Sequence, residues 1–395
     1  MNWPPHDSYI DSGVEWLDRY PSTWTAIQLK VLASMENGTS ITADSIEDTG
    51  LFPVYGGNGL RGFTVDFTHE GNRVLVGRQG ALCGNVHLAS GKYWASEHAI
   101  ILSPRAFATQ RWLAYALDAM NLGQYSQAAA QPGIAADVIG RLRVPTPPLS
   151  EQEKIVSFLD RETSKIDALI AKQEQLIATV REDRTVTIEN AVTKGLDSDV
   201  EMRDSGVEWL DRYPSTWTAI QLKVLASMEN GTSITADSIE DTGLFPVYGG
   251  NGLRGFTVDF THEGNRVLVG RQGALCGNVH LASGKYWASE HAIILSPRAF
   301  ATQRWLAYAL DAMNLGQYSQ AAAQPGIAAD VIGRLRVPTP PLSEQEKIVS
   351  FLDRETSKID ALIAKSVEMI SKLREYRSAL IIAAVTGQID VRGVS

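Results

Sequence analysis

The sequence predicts an α+β fold that is built twice, with two strand-rich, mixed α/β domains joined by two long helices. Three observations support this prediction: an unbroken internal repeat, short apolar runs bounded by turn residues, and a long apolar stripe at helical spacing. We expect the two helices to pair antiparallel as a coiled-coil spacer with pseudo-two-fold symmetry. The predicted parts are residues 1–148, 149–195, 196–341 and 342–395.

The repeat is the strongest feature of the chain. Residues 11–172 recur without a change as residues 204–365, at a constant offset of 193 positions. Beyond Lys172 the two copies differ in sequence but can still be aligned. A natural recombination and an engineered duplication would both leave such a boundary, and the sequence does not separate the two origins. In either case, the two copies are expected to share one structure.

Composition indicates an ordinary globular chain. The 395 residues are 44% hydrophobic and 21% charged, which is enough apolar material for two or more cores. No apolar run approaches the roughly 18 residues of a membrane span, and the first residues do not resemble a signal peptide, so we expect a cytoplasmic protein. Cys83 and Cys276 are the same position of the two copies, which excludes a disulfide framework and a cysteine-based metal site.

The net charge of −9 argues against strong, independent binding to nucleic acid. However, residues 20–148 contain nine Lys or Arg and nine Asp or Glu, so this segment is neutral. A few well-placed arginines could therefore read DNA. We expect the chain to need partner proteins in order to hold a duplex firmly.

Each copy begins with a segment of short predicted strands. Residues 73–76 and 99–102 are apolar runs bounded by turns, which is typical of strands. Residues 111–120 have the pattern of a helix. Together they predict a mixed α/β domain.

A long helix is predicted directly after the Thr-Pro-Pro segment of each copy. Ser150 and Glu153 have the spacing of a capping box, which predicts that the helix begins there. Apolar residues then recur at spacings of three, four and seven, without Pro or Gly until Gly195. About 40 helical residues would form a rod of roughly 60 Å.

An apolar stripe of this length must be buried, and the helix of the other copy is the expected partner. The alternative is that each helix packs on its own globular domain. The predicted helix-pair interface consists of Ile155, Leu159, Ile166 and Leu169 in the first helix and Ile348, Leu352, Ile359 and Leu362 in the second.

Four motifs of the chain resemble the specificity subunits of Type I restriction-modification systems. They are PLSEQEKIVSFLDRETSKIDALI, DSGVEWLDRYPSTW, FPVYGGNGLRGF and GRQGALCGNV, and each occurs in both copies. The resemblance covers nearly the whole chain. It implies two target-recognition domains that bind a bipartite double-stranded DNA site, and two methyltransferase (modification) subunits as partners, with ATP-dependent restriction subunits for cleavage.

The resemblance also implies that this chain binds no cofactor, and that S-adenosylmethionine is bound by the partner methylating subunits. Members of the family usually carry two different recognition domains, whereas here the two are identical. Identical domains predict an interrupted palindrome as the DNA site. The sequence determines neither the length of the gap between the two half-sites nor the bases that are recognised.

The Gly-rich segment 57–62 formally matches a dinucleotide-binding fingerprint. That motif requires a following helix, but residues 63–67 have a strand-like sequence. A Gly-rich turn that presents Asn58 and Arg61 accounts for the segment better.

Catalytic and metal-binding motifs are absent from the sequence. No Asp/Asn-Pro-Pro-aromatic segment of an amino-methyltransferase occurs, and the histidines lack a metal-like spacing. We therefore expect a non-catalytic subunit without a metal. The alternative function is a free-standing tandem-repeat DNA-binding regulator, or a coiled-coil scaffold.

Candidate DNA-binding residues follow from side-chain chemistry, because Arg pairs with guanine, Asn and Gln pair with adenine, and Lys and Tyr contact phosphates. Four Gly-rich or turn-like places in each copy concentrate these residue types. The predicted set is Tyr55, Asn58, Arg61, Arg78, Gln79, Lys92, Tyr93, Tyr125, Gln127 and Gln131, with Tyr248, Asn251, Arg254, Arg271, Gln272, Lys285, Tyr286, Tyr318, Gln320 and Gln324 in the second copy.

Overall fold

A computed structural model describes residues 3–14, 16–126, 132–207, 209–273, 275–319 and 326–393. The chain forms two compact units. Unit 1 consists of Met1–Gln173 and Val367–Ser395, and unit 2 consists of Glu174–Ser366. Each unit therefore contains one copy of the globular segment and one half of each long helix. The domain boundaries drawn from the sequence divide the chain differently and stay a prediction.

The first copy contains twelve strands and four α-helices within its described residues. They are β1 (Tyr9–Val14), β2 (Leu17–Pro21), β3 (Thr25–Gln28), α1 (Leu29–Leu32), β4 (Ala33–Asn37), β5 (Phe52–Gly56), β6 (Gly59–Thr64), β7 (His69–Glu70), β8 (Arg73–Gly77), β9 (Val86–Ala89), β10 (Lys92–Ala95), β11 (Ala99–Pro104), α2 (Gln110–Ala119), α3 (Ala136–Ile139), β12 (Arg143–Thr146) and α4 (Leu149–Lys194). The strands predicted at 73–76 and 99–102 and the helix at 111–120 are confirmed.

The second copy repeats this order. Its elements are β13 (Met202–Val207), β14 (Leu210–Pro214), β15 (Thr218–Gln221), α5 (Leu222–Leu225), β16 (Ala226–Asn230), β17 (Phe245–Gly249), β18 (Gly252–Thr257), β19 (His262–Glu263), β20 (Arg266–Gly270), β21 (Val279–Ala282), β22 (Lys285–Ala288), β23 (Ala292–Pro297), α6 (Gln303–Ala312), α7 (Ala329–Gly333), β24 (Arg336–Thr339) and α8 (Leu342–Val385).

Two four-stranded sheets dominate each globular segment. In unit 1 their strand orders are β6-β5-β10-β7 and β4-β11-β8-β9, and in unit 2 they are β18-β17-β22-β19 and β16-β23-β20-β21. The pairs β5–β10 and β17–β22 are parallel, and the other pairs in these sheets are antiparallel. The predicted α+β class with strand-rich domains is confirmed.

The sheet that contains β8 is covered on both faces, as its unbroken apolar sequence requires. Val74 and Val76 belong to the main core cluster, together with Trp112 of α2. Leu75 points to the opposite face and packs in a smaller cluster with Tyr93 of β10. Alternate residues of β8 thus pack against α2 on one face of the sheet and against the sheet that contains β10 on the other face.

The long helices extend over 46 residues in α4 and 44 residues in α8. The prediction that Ser150 caps the start of the helix was wrong, because α4 already begins at Leu149 and Ser150 lies inside its first turn. Pro148 provides the start instead, since its carbonyl accepts hydrogen bonds from the amides of Glu151 and Gln152 at 2.9 and 3.0 Å. The first helix ends where it was predicted to, before Gly195, which has a φ of +77°.

Buried polar side chains attach the first turn of α4 to the globular segment of unit 1. The amide of Gln152 accepts a hydrogen bond from Thr109 N at 2.8 Å and donates to the carbonyls of Phe107 and Pro147. The indole of Trp24 donates to Glu151 at 3.1 Å. Because Gln152 is wholly buried, these bonds are shielded from water and fix the helix on its domain.

In unit 1, the first half of α4 and the second half of α8 run antiparallel. Arg377 pairs with Asp167 at 2.9 Å, and near the other end of the pair the Lys154 ammonium donates to the carbonyl of Arg392 at 3.2 Å. Ile155 and Leu159 of α4 share a core cluster with Leu380 and other residues of α8. The same cluster contains Trp112, so both half-helices also pack on the globular segment.

In unit 2, the second half of α4 and the first half of α8 are arranged in the same way. Arg184 lies 3.7 Å from Asp360, and Gly195 lies against Glu344. Ile188 of α4 shares a core cluster with Leu352 of α8. The two packing modes considered for the helices therefore occur together within each unit.

The residues predicted for the helix-pair interface differ in burial. Ile155, Leu159, Ile166, Ile348 and Leu352 are 5% exposed or less, and Ile359 is half-buried. Leu169 and Leu362 are 48% and 40% exposed, so placing them in the interface was wrong. The next residue of each helix, Ile170 and Ile363, is half-buried in their place. Spacings of three and four both continue a helical stripe, and the sequence does not show which one a given turn follows.

Candidate nucleic-acid interface

A cleft of about 800 Å³ in unit 1 brings together three of the predicted DNA-reading residues. Asn58 and Arg61 come from the β5–β6 hairpin, and Gln79 comes from the loop after β8. All three side chains are exposed. Side chains of the types that can pair with adenine and guanine, although distant in sequence, thus line one opening.

The hairpin that presents Asn58 depends on glycine. Gly59 has a φ of +86°, and a Cβ atom there would lie 3.0 Å from the ring of His87. The side-chain oxygen of Asn58 accepts a hydrogen bond from the Asn85 amide at 3.0 Å. This bond joins the tip of the hairpin to the end of the loop that carries Gln79.

The loop that carries Gln79 is held by backbone hydrogen bonds on both sides. Arg78 N donates to the carbonyl of His98 at 2.8 Å, and Gly80 N donates to the carbonyl of Pro132 at 3.0 Å. Gln79 itself forms an isolated bridge with Gly133. The backbone of this loop is therefore fixed, while its side chains face the cleft.

The other predicted residues of the first copy lie elsewhere. Lys92 is exposed, with its ammonium 4.6 Å from the centre of the Phe67 ring. Tyr55 and Tyr125 are half-buried against apolar clusters, and Arg78 is half-buried. None of these four is among the residues that line the cleft in the described part of the chain.

Tyr93 does not suit a phosphate contact, which corrects the prediction. Its side chain is wholly buried and stacks on His69 at 5.7 Å, and burial raises the pKa of its phenol to about 12. Its hydroxyl has no hydrogen-bond partner among the described residues. Tyr286 of the second copy is buried in the same way. The pattern of a strand-end Lys-Tyr pair did not reveal that the tyrosine points inwards.

The second copy places its counterparts alike. Asn251 accepts from Asn278 at 3.0 Å, and Lys285 lies 4.5 Å from the Phe260 ring centre. Asn251, Arg254, Gln272 and Lys285 are exposed, Arg271, Tyr248 and Tyr318 are half-buried, and Gln127, Gln131, Gln320 and Gln324 lie outside the described residues.

The polar residue His98 belongs to this site but was not predicted from the sequence. His98 lines the cleft, with Nδ1 3.1 Å from Oε1 of Gln79. Its Nε2 lies 3.3 Å from Oε1 of Glu97. The turn before β11 brings His98 to the cleft, and a lone Glu-His pair in the sequence does not indicate this.

Two smaller clefts occur in unit 1. One, of about 400 Å³, is lined by hydroxyl residues and Trp94, and the other, of about 360 Å³, lies beside α2. In the second cleft, burial lowers the pKa of His87 and raises the pKa of Asp118. Neither cleft is lined by a predicted DNA-reading residue in the described part of the chain.

Over the described residues, no group of three or more His, Cys, Asp or Glu side chains could hold a metal ion. Within the same residues, no helix combines the length and apolar character needed to cross a membrane.

The chain belongs to the family of the Type I restriction modification DNA specificity domain. The family model matches residues 21–178 and again residues 214–370. The two matches cover most of the chain, one in each copy, which confirms the resemblance seen in the sequence motifs.

Curated relatives agree with this assignment over part of their length. The chain is 36% identical to the Type I restriction enzyme EcoprrI specificity subunit of Escherichia coli, over 38% of this chain and 37% of that subunit. It is 27% identical to a putative type I specificity subunit of Haemophilus influenzae, over 33% of this chain and 34% of the relative. The matched region thus spans little more than a third of these relatives.

Solved structures have the same fold. A chain from a study of complex assembly and conformational transition of the type I R-M system matches with a TM-score of 0.69 at 17% identity, over 94% of this chain and 99% of that chain. The HsdS subunit from Thermoanaerobacter tengcongensis matches with a TM-score of 0.52 at 16% identity, over 96% and 100% of the two chains.

Proposed function

We propose that the chain is the DNA sequence-specificity subunit of a Type I restriction-modification complex. The observation that carries this proposal is the cleft in which Asn58, Arg61 and Gln79 meet, in a chain whose family is that of DNA specificity domains. The same residue types are exposed in the second copy as Asn251, Arg254 and Gln272. Each copy reads one half of a bipartite double-stranded DNA site.

The long helices form the scaffold for partner subunits in this proposal. Two methylating subunits bind S-adenosylmethionine and modify adenine, and ATP-dependent restriction subunits join the complex for cleavage. The net charge of −9 fits this role, because a chain without a large basic surface relies on partners to neutralise phosphates. The chain itself supplies sequence recognition and no catalysis.

Identical reading domains give the site its expected symmetry. If the two domains meet the duplex in opposite orientations, both halves of the site carry the same sequence in inverted order, as for dimeric DNA-binding proteins on palindromes. The expected target is an interrupted palindrome with one methylated adenine in each half. A direct repeat would result from domains related by translation.

The test is to express the chain together with the methylating subunits of its own system and to sequence the modified DNA. We expect symmetric adenine methylation in an interrupted palindrome. A methylated motif without inverted symmetry would contradict the two-fold arrangement. Absence of any sequence-dependent methylation would contradict the function itself.

A second measurement separates a subunit from a free-standing regulator. Purified alone, the chain should bind its site weakly and transfer no methyl group from S-adenosylmethionine, while addition of the methylating subunits should restore both activities. Tight, sequence-specific binding by the isolated chain would support the regulator, and methyl transfer by the isolated chain would contradict the non-catalytic role.

A further inference from the structure

We propose that Leu82 contacts the 5-methyl group of a thymine in the half-site that unit 1 reads, an inference that rests on the proposed function. Leu275 of the second copy has the same role in the other half-site. Asn58, Arg61 and Gln79 are polar and bind polar groups of the base edges, so none of them recognises a methyl group. Leu82 adds apolar recognition to the same cleft.

Leu82 lies at the surface although it is apolar and next to the core of its unit. Its side chain is 47% exposed and lines the cleft, whereas the following residue, Cys83, is buried in the main core cluster. Leu275 is also 47% exposed. A single exposed leucine is ordinary at a protein surface, but this one lies among side chains of the types that pair with adenine and guanine. An occupant of the cleft therefore meets apolar as well as polar surface.

A closed turn presents Leu82 at the cleft. Cys83 N donates to the carbonyl of Gly80 at 3.0 Å, which places Leu82 at the second central position of a four-residue turn. The turn is attached to the end of β8, because Gly84 N donates to the carbonyl of Gly77 at 2.8 Å. Turn positions usually carry Gly, Pro, Asn, Asp or Ser, so the local conformation gives no reason for a leucine.

Asn85 joins Leu82 to a predicted adenine-reading residue. Its backbone N donates to the carbonyl of Leu82 at 3.3 Å, and its side-chain amide donates to Asn58 at 3.0 Å. Asn278 of the second copy makes the same two bonds with the same distances. The two side-chain amides also pair if both are turned, so this adjacency does not depend on their orientation. An apolar side chain and an amide side chain are thus attached to one residue.

Thymine is the base that this combination suits. In the major groove, an A·T pair presents the N7 acceptor and the N6 donor of adenine together with the 5-methyl group of thymine. An amide binds the adenine groups, and an apolar side chain contacts the methyl group. Cytosine lacks this methyl group, so the contact favours thymine over cytosine. The expected site carries one methylated adenine in each half, and each half therefore contains at least one thymine.

The test removes only the methyl group, by replacing thymine with deoxyuridine at one position of both half-sites at a time. The full chain is used in its complex with the methylating subunits, and the dissociation constant of the DNA is measured. Because burial of one methyl group changes an equilibrium constant about fourfold, we expect a loss of about fourfold for each half at one position. Both halves are replaced because a complex with identical domains binds a palindrome in either orientation.

Leu82→Ala and Leu275→Ala are then introduced singly and together. The double variant should bind the thymine site more weakly and should show no further loss with deoxyuridine. Either single variant keeps one contact and should lose about fourfold on the same replacement. The matched control is Leu88→Ala with Leu281→Ala, because these side chains are 42% and 41% exposed and Leu88 lies in the cleft beside α2. This control should keep the full response to deoxyuridine.

A half-site in which no thymine responds to loss of its methyl group would overturn the proposal, as would a double variant that responds as strongly as the unsubstituted chain. Weaker binding by the double variant with an unchanged response would show that the two leucines only support their turns. In each of these cases the proposed function stands, provided that the unsubstituted complex methylates a defined sequence. Absence of sequence-dependent methylation by that complex contradicts the function itself.

Discussion

Units 1 and 2 contain identical globular segments but are completed by different sequences. In unit 1, Trp3 packs edge-on against Phe158 with ring centres 5.0 Å apart, and Phe158 is 2% exposed. In unit 2, the counterpart Phe351 is only half-buried, and Leu196, just beyond the end of α4, is 45% exposed. The phenylalanine at this position is therefore better shielded from solvent in unit 1 than in unit 2.

The half-helices that complete the units differ in sequence but keep the contacts that matter. Ile188, Ala191 and Val192 of α4 in unit 2 have the counterparts Ile381, Ala384 and Val385 of α8 in unit 1, and all six are 2% exposed or less. The ion pair is kept as well, between Arg184 and Asp360 in unit 2 and between Arg377 and Asp167 in unit 1. The surface of the globular segment thus constrains a few positions of the helix and leaves the rest free to diverge.

The largest effect should follow from removing a core leucine of one unit. Leu159→Ala and Leu352→Ala each delete a wholly buried side chain and should lower the free energy of unfolding by about 2–5 kcal/mol. Leu159→Ala should destabilise unit 1 and Leu352→Ala unit 2, as measured by amide hydrogen exchange along the chain. Combining both should also weaken assembly with partner subunits.

The matched controls for this experiment are Leu169→Ala and Leu362→Ala. Because these side chains are 48% and 40% exposed, each change should stay within about 0.5 kcal/mol. Equal loss of protection in both units from either core substitution would contradict the assignment of the half-helices to separate units.

A second comparison concerns DNA reading by the two copies. Gln79→Ala should relax one position of one half-site by about 1–3 kcal/mol, and Gln272→Ala should relax the equivalent position of the other half. The double variant should relax both halves equally. Sequencing of methylated sites measures this, and an effect of Gln79→Ala on both halves would show that the copies do not read separately.

The difference in solvent shielding between Phe158 and Phe351 can be tested at Trp3. Trp3→Ala removes the aromatic cover of Phe158 and should lower the stability of unit 1 by about 1–2 kcal/mol. A control change in unit 2, Leu196→Ala, should have an effect below about 0.5 kcal/mol because this side chain is already exposed. Thermal unfolding followed by amide hydrogen exchange compares the two variants. Equal effects on stability would refute the difference in solvent shielding between the units.

The smallest expected effect comes from the ion pair between Asp390 and Arg392 of unit 1, since the counterpart positions in unit 2 are Asp197 and Asp199 and carry no arginine. Hydrogen bonds from Arg392 lower the pKa of Asp390 to about 2, and Asp390 N also donates to the carbonyl of Pro4 at 2.7 Å. Because an unfolded Asp has a pKa of about 3.9, this stabilisation is complete above that pH and is lost as the pH falls toward 2.

Asp390→Asn should therefore lower the stability of unit 1 at neutral pH by up to about 1 kcal/mol, and should reduce its loss between pH 4 and pH 2. Unfolding is measured as a function of pH for both proteins. An unchanged pH profile would show that the Asp390–Arg392 pair does not stabilise the folded state.

Local features of the fold could be predicted from the sequence because they depend on nearby residues. The apolar run at β8, the helix at α2 and the end of α4 before Gly195 follow from periodicity and from glycine geometry. The helix of the other copy was predicted as the partner, but the register of the pair could not be predicted in this way. It depends on contacts such as Arg377 with Asp167, which are distant in sequence and indistinguishable by pattern from a pairing in another register.

The candidate site shows the same limit. Asn58, Arg61 and Gln79 were predicted from side-chain chemistry in Gly-rich sequence, and they meet in one cleft. Tyr93 has equally suitable chemistry but lies inside the domain, because its strand pairs so that the tyrosine faces the neighbouring sheet. Side-chain type indicates what a residue can bind, and only the packing of the strands determines whether it reaches the surface.

The division of the helices between the units has a consequence for protein synthesis. The globular segment of unit 1 leaves the ribosome before that of unit 2, but its core is completed only by Leu380, Ile381 and the residues that follow, after the whole of unit 2. Unit 2 is continuous from Glu174 to Ser366, so all of its residues are available earlier. The unit whose globular segment is translated earlier is thus the one whose core is completed later. Until α8 has been synthesised, Ile155 and Leu159 lack their contacts with it. These apolar side chains are then exposed to premature association with other chains.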